Sequence, residues 1–234
     1  MSIFDNFLLV DLTHVLNFYV PTWDGDCGFK EHIDMDYECG ARVMRYELHA
    51  GIGTHMDAPA HFFEGGKNIA DIPSEVFFVK ACVIDLSDKV QENAYFMISP
   101  DNIKDWEQVN GQIERGSLFL AHTGWSKHWS NAQKYRNSDE HGNVCVPGFD
   151  ERCADILLQR EVVGVGIDTL SPDGAGANGA FPFHKKILGA GKYLVENVAH
   201  LDKMPACGAH VIVLPMKVKD GTEAPVRMFG LVPK

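Results

Sequence analysis

The chain has 234 residues, of which 45% are hydrophobic and 23% charged, the balance of an ordinary globular protein. Lysine and arginine total 21 against 32 aspartates and glutamates, so the net charge is −11. Proteins that bind nucleic acids or anionic membranes usually present basic surfaces, so this acidic balance argues against both functions.

Two further properties bear on the compartment. The amino-terminal segment lacks the basic region of a secretory signal, and no apolar run reaches the roughly 18 residues of a spanning helix. The 6 cysteines are scattered without a C-x-x-C pair, which predicts reduced thiols. We therefore expect a cytoplasmic protein without a membrane segment.

Apolar or alternating runs predict strands along the whole chain. These strands cover residues 7–12, 42–49, 77–86, 117–122, 162–167, 209–214 and 226–232. They outnumber the predicted helices and do not alternate strictly with them. The pattern predicts a single α/β domain over residues 1–234 with a largely antiparallel or mixed sheet, rather than a doubly wound fold.

Helical signals are fewer. Ser99 and Pro100 can begin a helix that stops near Gly111, and an apolar stripe over residues 153–160 predicts a second one. The polar stretch over residues 127–144 has almost no apolar period. We expect a long surface loop there, serving as a lid or a partner contact.

Residues 49–61 form the densest cluster of polar chemistry, with three histidines and one aspartate in a glycine-containing segment. On an extended strand, His55 and Asp57 point to the same face. Imidazole and carboxylate are ligands for zinc, manganese or iron. Pro59 stiffens the chain before His61, which would hold that ring beside the ion without making it a ligand. The alternative, a turn with unrelated core histidines, is disfavoured by the density of the cluster.

Two weaker clusters lie downstream. Residues 166–173 are an apolar strand that ends in aspartates, which bind metal or cap a turn. Residues 181–198 contain His184 and Glu196, twelve positions apart across a Gly-x-Gly turn. Taken alone, a single histidine is more often structural and a single glutamate more often solvated.

In this order the three clusters resemble the cyclase family of metal-dependent hydrolases, which includes kynurenine formamidase-like enzymes. The matching segments are residues 53–61, 166–173 and 184–198, with 123–125, 214–217 and 224–227 also similar. The resemblance extends over nearly the whole chain. It implies the family's swivelling β/β/α fold and a homo-oligomer, either a dimer or a tetramer.

The resemblance also implies roles for the residues. His55 and Asp57 would bind a first ion, and Asp57 would bridge to a second one, present in some members, held by His184 and Glu196. His61 would be the general acid or base, with Glu196 as an alternative base. The expected cofactor is zinc or manganese, as one ion or two.

One position departs from the family pattern. The family's first histidine stands four residues before the second, and Gly51 occupies that place here. The nearest substitute is His49, six residues before His55, a separation of about 20 Å if the chain is extended. A glycine-containing loop could fold His49 back onto the ion, and we expect it as a ligand. The alternative is that the ligand is lost and the metal is bound more weakly.

The function that follows is hydrolysis of a carbon–nitrogen bond in a small-molecule amide, with N-formylkynurenine as the best specific candidate. Ring opening of a lactam or lactone is the closest alternative. A non-catalytic metal- or ligand-binding protein, or a structural protein without metal, are the others. Aromatic residues near the motifs could line a pocket for an aryl substrate, although core packing explains each one singly. These residues are Trp23, Phe62, Phe63, Phe181 and Phe183.

Overall fold

The computed structural model describes residues 5–26, 28–174 and 179–234. The strands in these ranges are β1 (Phe7–Asp11), β2 (Phe29–Met35), β3 (Val43–Leu48), β4 (His55–Asp57), β5 (Phe78–Asp85), β6 (Met97–Ile98), β7 (Leu118–His122), β8 (Gly148–Phe149), β9 (Gly164–Ile167), β10 (Tyr193–Glu196), β11 (His210–Pro215) and β12 (Glu223–Pro233). The α-helices are α1 (Ser87–Glu92), α2 (Pro100–Asn110), α3 (Ala132–Arg136), α4 (Arg152–Gln159) and α5 (Pro182–Gly189). None of these helices is long and apolar enough to cross a membrane.

The main sheet has eight strands in the order β1-β12-β11-β5-β7-β9-β10-β4, and β12 also pairs with β4. This additional pairing closes the sheet into a barrel-like ring, with β1 attached outside it along β12. Neighbours from β5 through β7 and β9 to β10 run parallel, and the remaining pairs are antiparallel. The predicted α/β class with a mixed sheet is confirmed.

Burial on both faces explains why the parallel strands are almost entirely apolar. Along β7, Leu118 and Leu120 pack into the core inside the ring, where they join side chains of β5, β11 and β12. Phe119 and Ala121 point the other way, into a second core between the sheet and helices α2, α4 and α5. The alternation of side chains along one strand thus supplies two cores.

Both predicted helices are present. The Ser99 hydroxyl accepts a hydrogen bond from the Asn102 N–H and so caps α2, which ends at Gly111. Gly111 has a φ of 85°, a conformation that glycine adopts without strain. The apolar stripe of α4 buries Cys153 and Leu157 against the sheet.

The stretch over residues 127–144 lies mostly at the surface, as predicted, but it is not a continuous loop. This stretch contains helix α3, and its Tyr135 is fully buried. The Tyr135 hydroxyl donates hydrogen bonds to the Asp168 carbonyl (2.8 Å) and the Asn197 side-chain oxygen (3.0 Å). A helix of five residues is too short to show an apolar period, so the sequence pattern did not reveal it.

Candidate active site

Strand β4 is the centre of the candidate site because it lies between β10 and β12. In the antiparallel register, His55 is opposite Glu196 on β10, and Asp57 is opposite Glu223 on β12. Directly opposed residues share a face of the sheet, and residues two apart on a strand do as well. The three strands therefore place two carboxylates beside His55 and Asp57.

Helix α5 brings His184 to the same place. Its Nε2 lies 3.5 Å from Asp57 Oδ2 and 3.0 Å from Glu196 Oε1. The Nε2 of His55 lies 3.4 Å from Asp57 Oδ1 and 3.3 Å from Glu196 Oε2. The four residues that the sequence assigned to two ions thus face one another, and each has a side-chain exposure of 7% or less.

Hydrogen bonds on the far side of each ring hold both histidines in position. His55 Nδ1 donates to the Gly53 carbonyl at 2.9 Å. His184 Nδ1 makes a hydrogen bond to the carboxylate of Asp173. The same carboxylate accepts hydrogen bonds from the backbone N–H groups of Phe183 (2.7 Å) and His184 (3.1 Å). Such outer partners fix the tautomer and leave Nε2 free for a metal.

The aspartates of residues 166–173 therefore do two different things. Asp173 orients His184 as described. Asp168 is fully buried and caps a turn, since it accepts hydrogen bonds from the N–H and hydroxyl of Thr123 and from the N–H of Trp125. Burial raises the pKa of Asp168, against the hydrogen bonds that favour its charged form.

The donor set fits a divalent ion. Asp57 Oδ1 and Glu196 Oε1 are buried and make no hydrogen bond, although imidazole nitrogens lie within 3.5 Å of these carboxylates. Buried anionic oxygens without such bonds are costly unless a cation compensates them. Within the described ranges two groups bring their ligand atoms within 4.8 Å of one another: His55 with Asp57 and Glu223, and Asp57 with His184 and Glu196. Nitrogen and carboxylate oxygen together suit zinc or manganese.

The electrostatics agree with a site that attracts cations. Burial lowers the pKa of His55, but the carboxylates of Glu196 and Asp57 outweigh it and raise the value to about 10. The pKa of His184 is also raised, since Asp173, Asp57 and Glu196 together overcome its burial. Neutral imidazoles carry no charge, so the carboxylates make this cluster negative and favour the binding of a cation.

His61 lies at the edge of the cluster and faces the open side. Its Nδ1 is 3.2 Å from Glu223 Oε2, and its side chain is 30% exposed. Burial lowers its pKa, but Glu223 and Asp57 more than compensate, so that the pKa is raised. His61 is thus a paired, accessible imidazole beside the candidate ligands.

A cavity of about 570 Å³ opens above the cluster and is lined by His55, Asp57, His61, His184 and both glutamates. Trp23, Phe62 and Phe181 form its aromatic wall, and Asp24 and Asp26 also line it. Among the described residues, no lysine or arginine lines this cavity.

Three residues that we expected in the site are placed differently. Phe183 is fully buried in the core and stacks on Phe149 with ring centroids 4.6 Å apart, so it does not line the cavity. Phe63 is partly exposed beside Gly189, also away from the cavity wall. His49 lines the wall, where its Nδ1 accepts the Gly51 N–H at 3.2 Å, but it joins neither candidate ligand group.

Glu223 was missed by the sequence analysis, as was the orienting role of Asp173. Glu223 directly precedes residues 224–227, whose similarity to the family offered a signal. Its position opposite Asp57 depends on the pairing of β12 with β4, which are far apart in the chain. A local pattern does not contain that pairing.

Comparison with known proteins agrees with this geometry. The family model described as "Putative cyclase" matches residues 10–174. An isatin hydrolase of Roseibium aggregatum is 33% identical over 190 residues, covering 78% of this chain and 72% of the relative. A kynurenine formamidase of Bacillus cytotoxicus is 27% identical over 220 residues, covering 93% and 94%. The crystal structure of an isatin hydrolase bound to the product analogue thioisatinate superposes with a TM-score of 0.91 at 28% identity, covering 98% of this chain and 94% of that one. The chain therefore belongs to the cyclase family of metal-dependent hydrolases.

Proposed function

We propose that this protein hydrolyses the carbon–nitrogen bond of a small aromatic amide, with a neutral lactam of the isatin type as the preferred substrate. The observation that carries the proposal is the buried cluster of His55, Asp57, His184 and Glu196 at the floor of an aromatic-walled cavity. An accessible His61 stands beside this floor.

The candidate ligands are those four residues, with zinc or manganese as the ion and one or two ions bound. When bound, a divalent ion supplies Lewis acidity that activates water and polarises the amide carbonyl. The two carboxylate oxygens of Glu196 face different imidazoles: Oε2 lies near His55 and Oε1 lies near His184. It is therefore assigned as a ligand rather than as the base.

His61 moves the proton. Because Glu223 holds Nδ1, Nε2 is the nitrogen that remains for transfer. In the proposed reaction, His61 accepts a proton from the attacking water as the carbon–oxygen bond forms. It returns that proton to the amide nitrogen as the carbon–nitrogen bond breaks.

The cavity wall supports a neutral aromatic substrate. Trp23, Phe62 and Phe181 offer faces and edges for an aryl ring. Asp24 and Asp26 repel anions, and none of the described lining residues is a lysine or arginine that could pair with a carboxylate. An uncharged lactam meets these conditions, and relatives named isatin hydrolase support this choice.

N-formylkynurenine is the second candidate. The kynurenine formamidase relative covers 93% of this chain, and Asp24 or Asp26 could receive an ammonium group of the substrate. The carboxylate of N-formylkynurenine has no cationic partner on the described wall, so we expect slower turnover than with a lactam. Lactone hydrolysis by the same groups is a further variant of the reaction.

A homo-oligomer also remains a proposal. Large apolar side chains near the amino terminus are exposed in the single chain, among them Val15, Phe18 and Tyr19. An apolar patch of this kind is typical of a protein interface. Light scattering after size-exclusion chromatography measures the mass and decides between monomer, dimer and tetramer.

The test of function measures metal content by elemental analysis and hydrolysis of isatin and N-formylkynurenine on the same sample. Both are repeated after chelation and after re-addition of Zn²⁺ or Mn²⁺. We expect bound metal and chelator-sensitive turnover, faster with isatin. Metal without turnover of either compound would favour a binding protein, and a folded, metal-free protein that takes up neither ion would contradict the proposal.

A further inference from the structure

Gly51 lies in the loop between β3 and β4, and the space above it is filled by a side chain from β12. A Cβ placed on Gly51 would overlap with Glu223 Oε1 and would lie 3.4 Å from His55 Nε2. Position 51 therefore points at the metal-facing nitrogen of His55. A carboxylate from β12 occupies the volume that a side chain from position 51 would otherwise take.

Glu223 is also placed directly opposite Asp57 in the strand pairing. Two carboxylates in that relation repel each other unless a cation lies between or beside them. Asp57 Oδ1 makes no hydrogen bond and is buried, with a residue exposure of 1%. His55, Asp57 and Glu223 bring one ligand atom each within 4.8 Å of one another.

We propose that Glu223 is the third protein ligand of the first metal site, and that Gly51 is the small residue that makes room for it. The proposal rests on the metal dependence of the proposed function and specifies which residues hold the ion. It replaces the expectation that His49 folds back onto the metal, since His49 instead accepts the Gly51 N–H at the cavity wall.

The two oxygens of Glu223 then have separate partners. Oε2 lies 3.2 Å from His61 Nδ1, and Oε1 fills the space above Gly51 near His55. One carboxylate thereby connects the ion to the group that moves the proton. In the family pattern, a histidine at position 51 would bind the ion without this connection.

Replacing a neutral imidazole by a carboxylate also changes the character of the donor set. The first site becomes one imidazole and two carboxylates. Oxygen-rich sites favour harder ions, so the preference for Zn²⁺ over Mn²⁺ should be smaller here than in a site with two imidazoles.

The experiment compares the affinities of the metal-free protein for Mn²⁺ and Zn²⁺, measured by calorimetry and competition with a chelator. The variants are Glu223→Gln, Gly51→Ala and the double change Gly51→His with Glu223→Gly. Glu140→Gln is the matched control, because Glu140 is 87% exposed. The metal-induced rise in Tm is a second readout, and circular dichroism checks that each variant folds.

We expect Glu223→Gln to weaken Mn²⁺ binding by more than about 10-fold, since even losing an outer partner of a ligand costs about 10- to 100-fold. Gly51→Ala should weaken it as well, because its Cβ displaces the carboxylate while every candidate ligand remains. The double variant should recover Zn²⁺ affinity more than Mn²⁺ affinity. Glu140→Gln should match the wild type.

Wild-type affinity in both Glu223→Gln and Gly51→Ala would overturn the assignment of Glu223. If Glu223→Gln does not fold, Gly51→Ala decides alone. A wild-type protein that binds neither ion would instead contradict the proposed function and this inference together, so the two failures are distinguishable.

Discussion

The two flanks of β4 differ in how tightly they hold their side chains. On the β10 flank, Glu196 and His184 are buried, and Asp173 fixes the His184 ring from behind. On the β12 flank, Glu223 and His61 form a pair that faces the cavity, with side-chain exposures of 14% and 30%. The closed flank is suited to retaining an ion, and the open flank to exchanging protons with a substrate.

We expect the largest loss of metal binding from a substitution in β4, where the two flanks meet. Asp57 belongs to both candidate ligand groups, so Asp57→Asn should remove most bound metal and lower its affinity by at least about 100-fold. Elemental analysis after gel filtration measures the metal, with the exposed Asp101→Asn as control. Unchanged metal content in the variant would refute the central position of Asp57.

His61→Ala distinguishes the role of the open flank from that of the closed flank. We expect the ion to stay bound while kcat for isatin falls by about 100- to 10,000-fold, the usual contribution of a general acid or base. Metal content and steady-state kinetics are measured together, with the exposed His141→Ala as control. Loss of metal along with activity would make His61 a ligand instead.

Asp173→Asn should weaken the closed flank while every candidate ligand stays in place. An amide in this place no longer supplies the negative charge that holds His184, so metal affinity should fall by about 10- to 100-fold. Asp155→Asn is the control, because Asp155 also contacts α5 but at the surface, through Lys186. Equal affinities in the two variants would contradict the orienting role of Asp173.

His49→Ala should have the smallest effect. Its exposed hydrogen bond to the Gly51 N–H contributes about 0.5–1 kcal/mol, so metal affinity should change by no more than about fivefold. Calorimetry with Mn²⁺ measures the difference. A loss as large as that in Asp173→Asn would restore His49 as a ligand.

The sequence predicted the parts of the molecule that local patterns encode. The apolar runs of β5 and β7 and the capped helix α2 were found because periodicity and capping act within a few residues. Motif resemblance proposed a shared site for four residues, and the structure brings all four together: His55, Asp57, His184 and Glu196.

What the sequence did not predict depends on contacts across the chain. Strand β4 has only three residues and shows no alternation of its own. Glu223 enters the site through the pairing of β12 with β4, and Phe183 turns to the core because α5 presents that face to Phe149. Gly51 read alone indicated a missing ligand, whereas in the structure it leaves room for the carboxylate of Glu223.

The pairing of β12 with β4 has a consequence for local opening. This seam consists of three register pairs, and one of its residues, Pro225, has no N–H to donate. Backbone hydrogen bonds from Ala58 to Thr222 and from Val226 to Thr54 frame it. An ion bound by His55 and Asp57 of β4 and by Glu223 of β12 would link the two strands and stabilise their pairing. Hydrogen exchange of the Ala58 and Val226 amides should therefore slow when metal is added, and by more than the exchange of amides within α2.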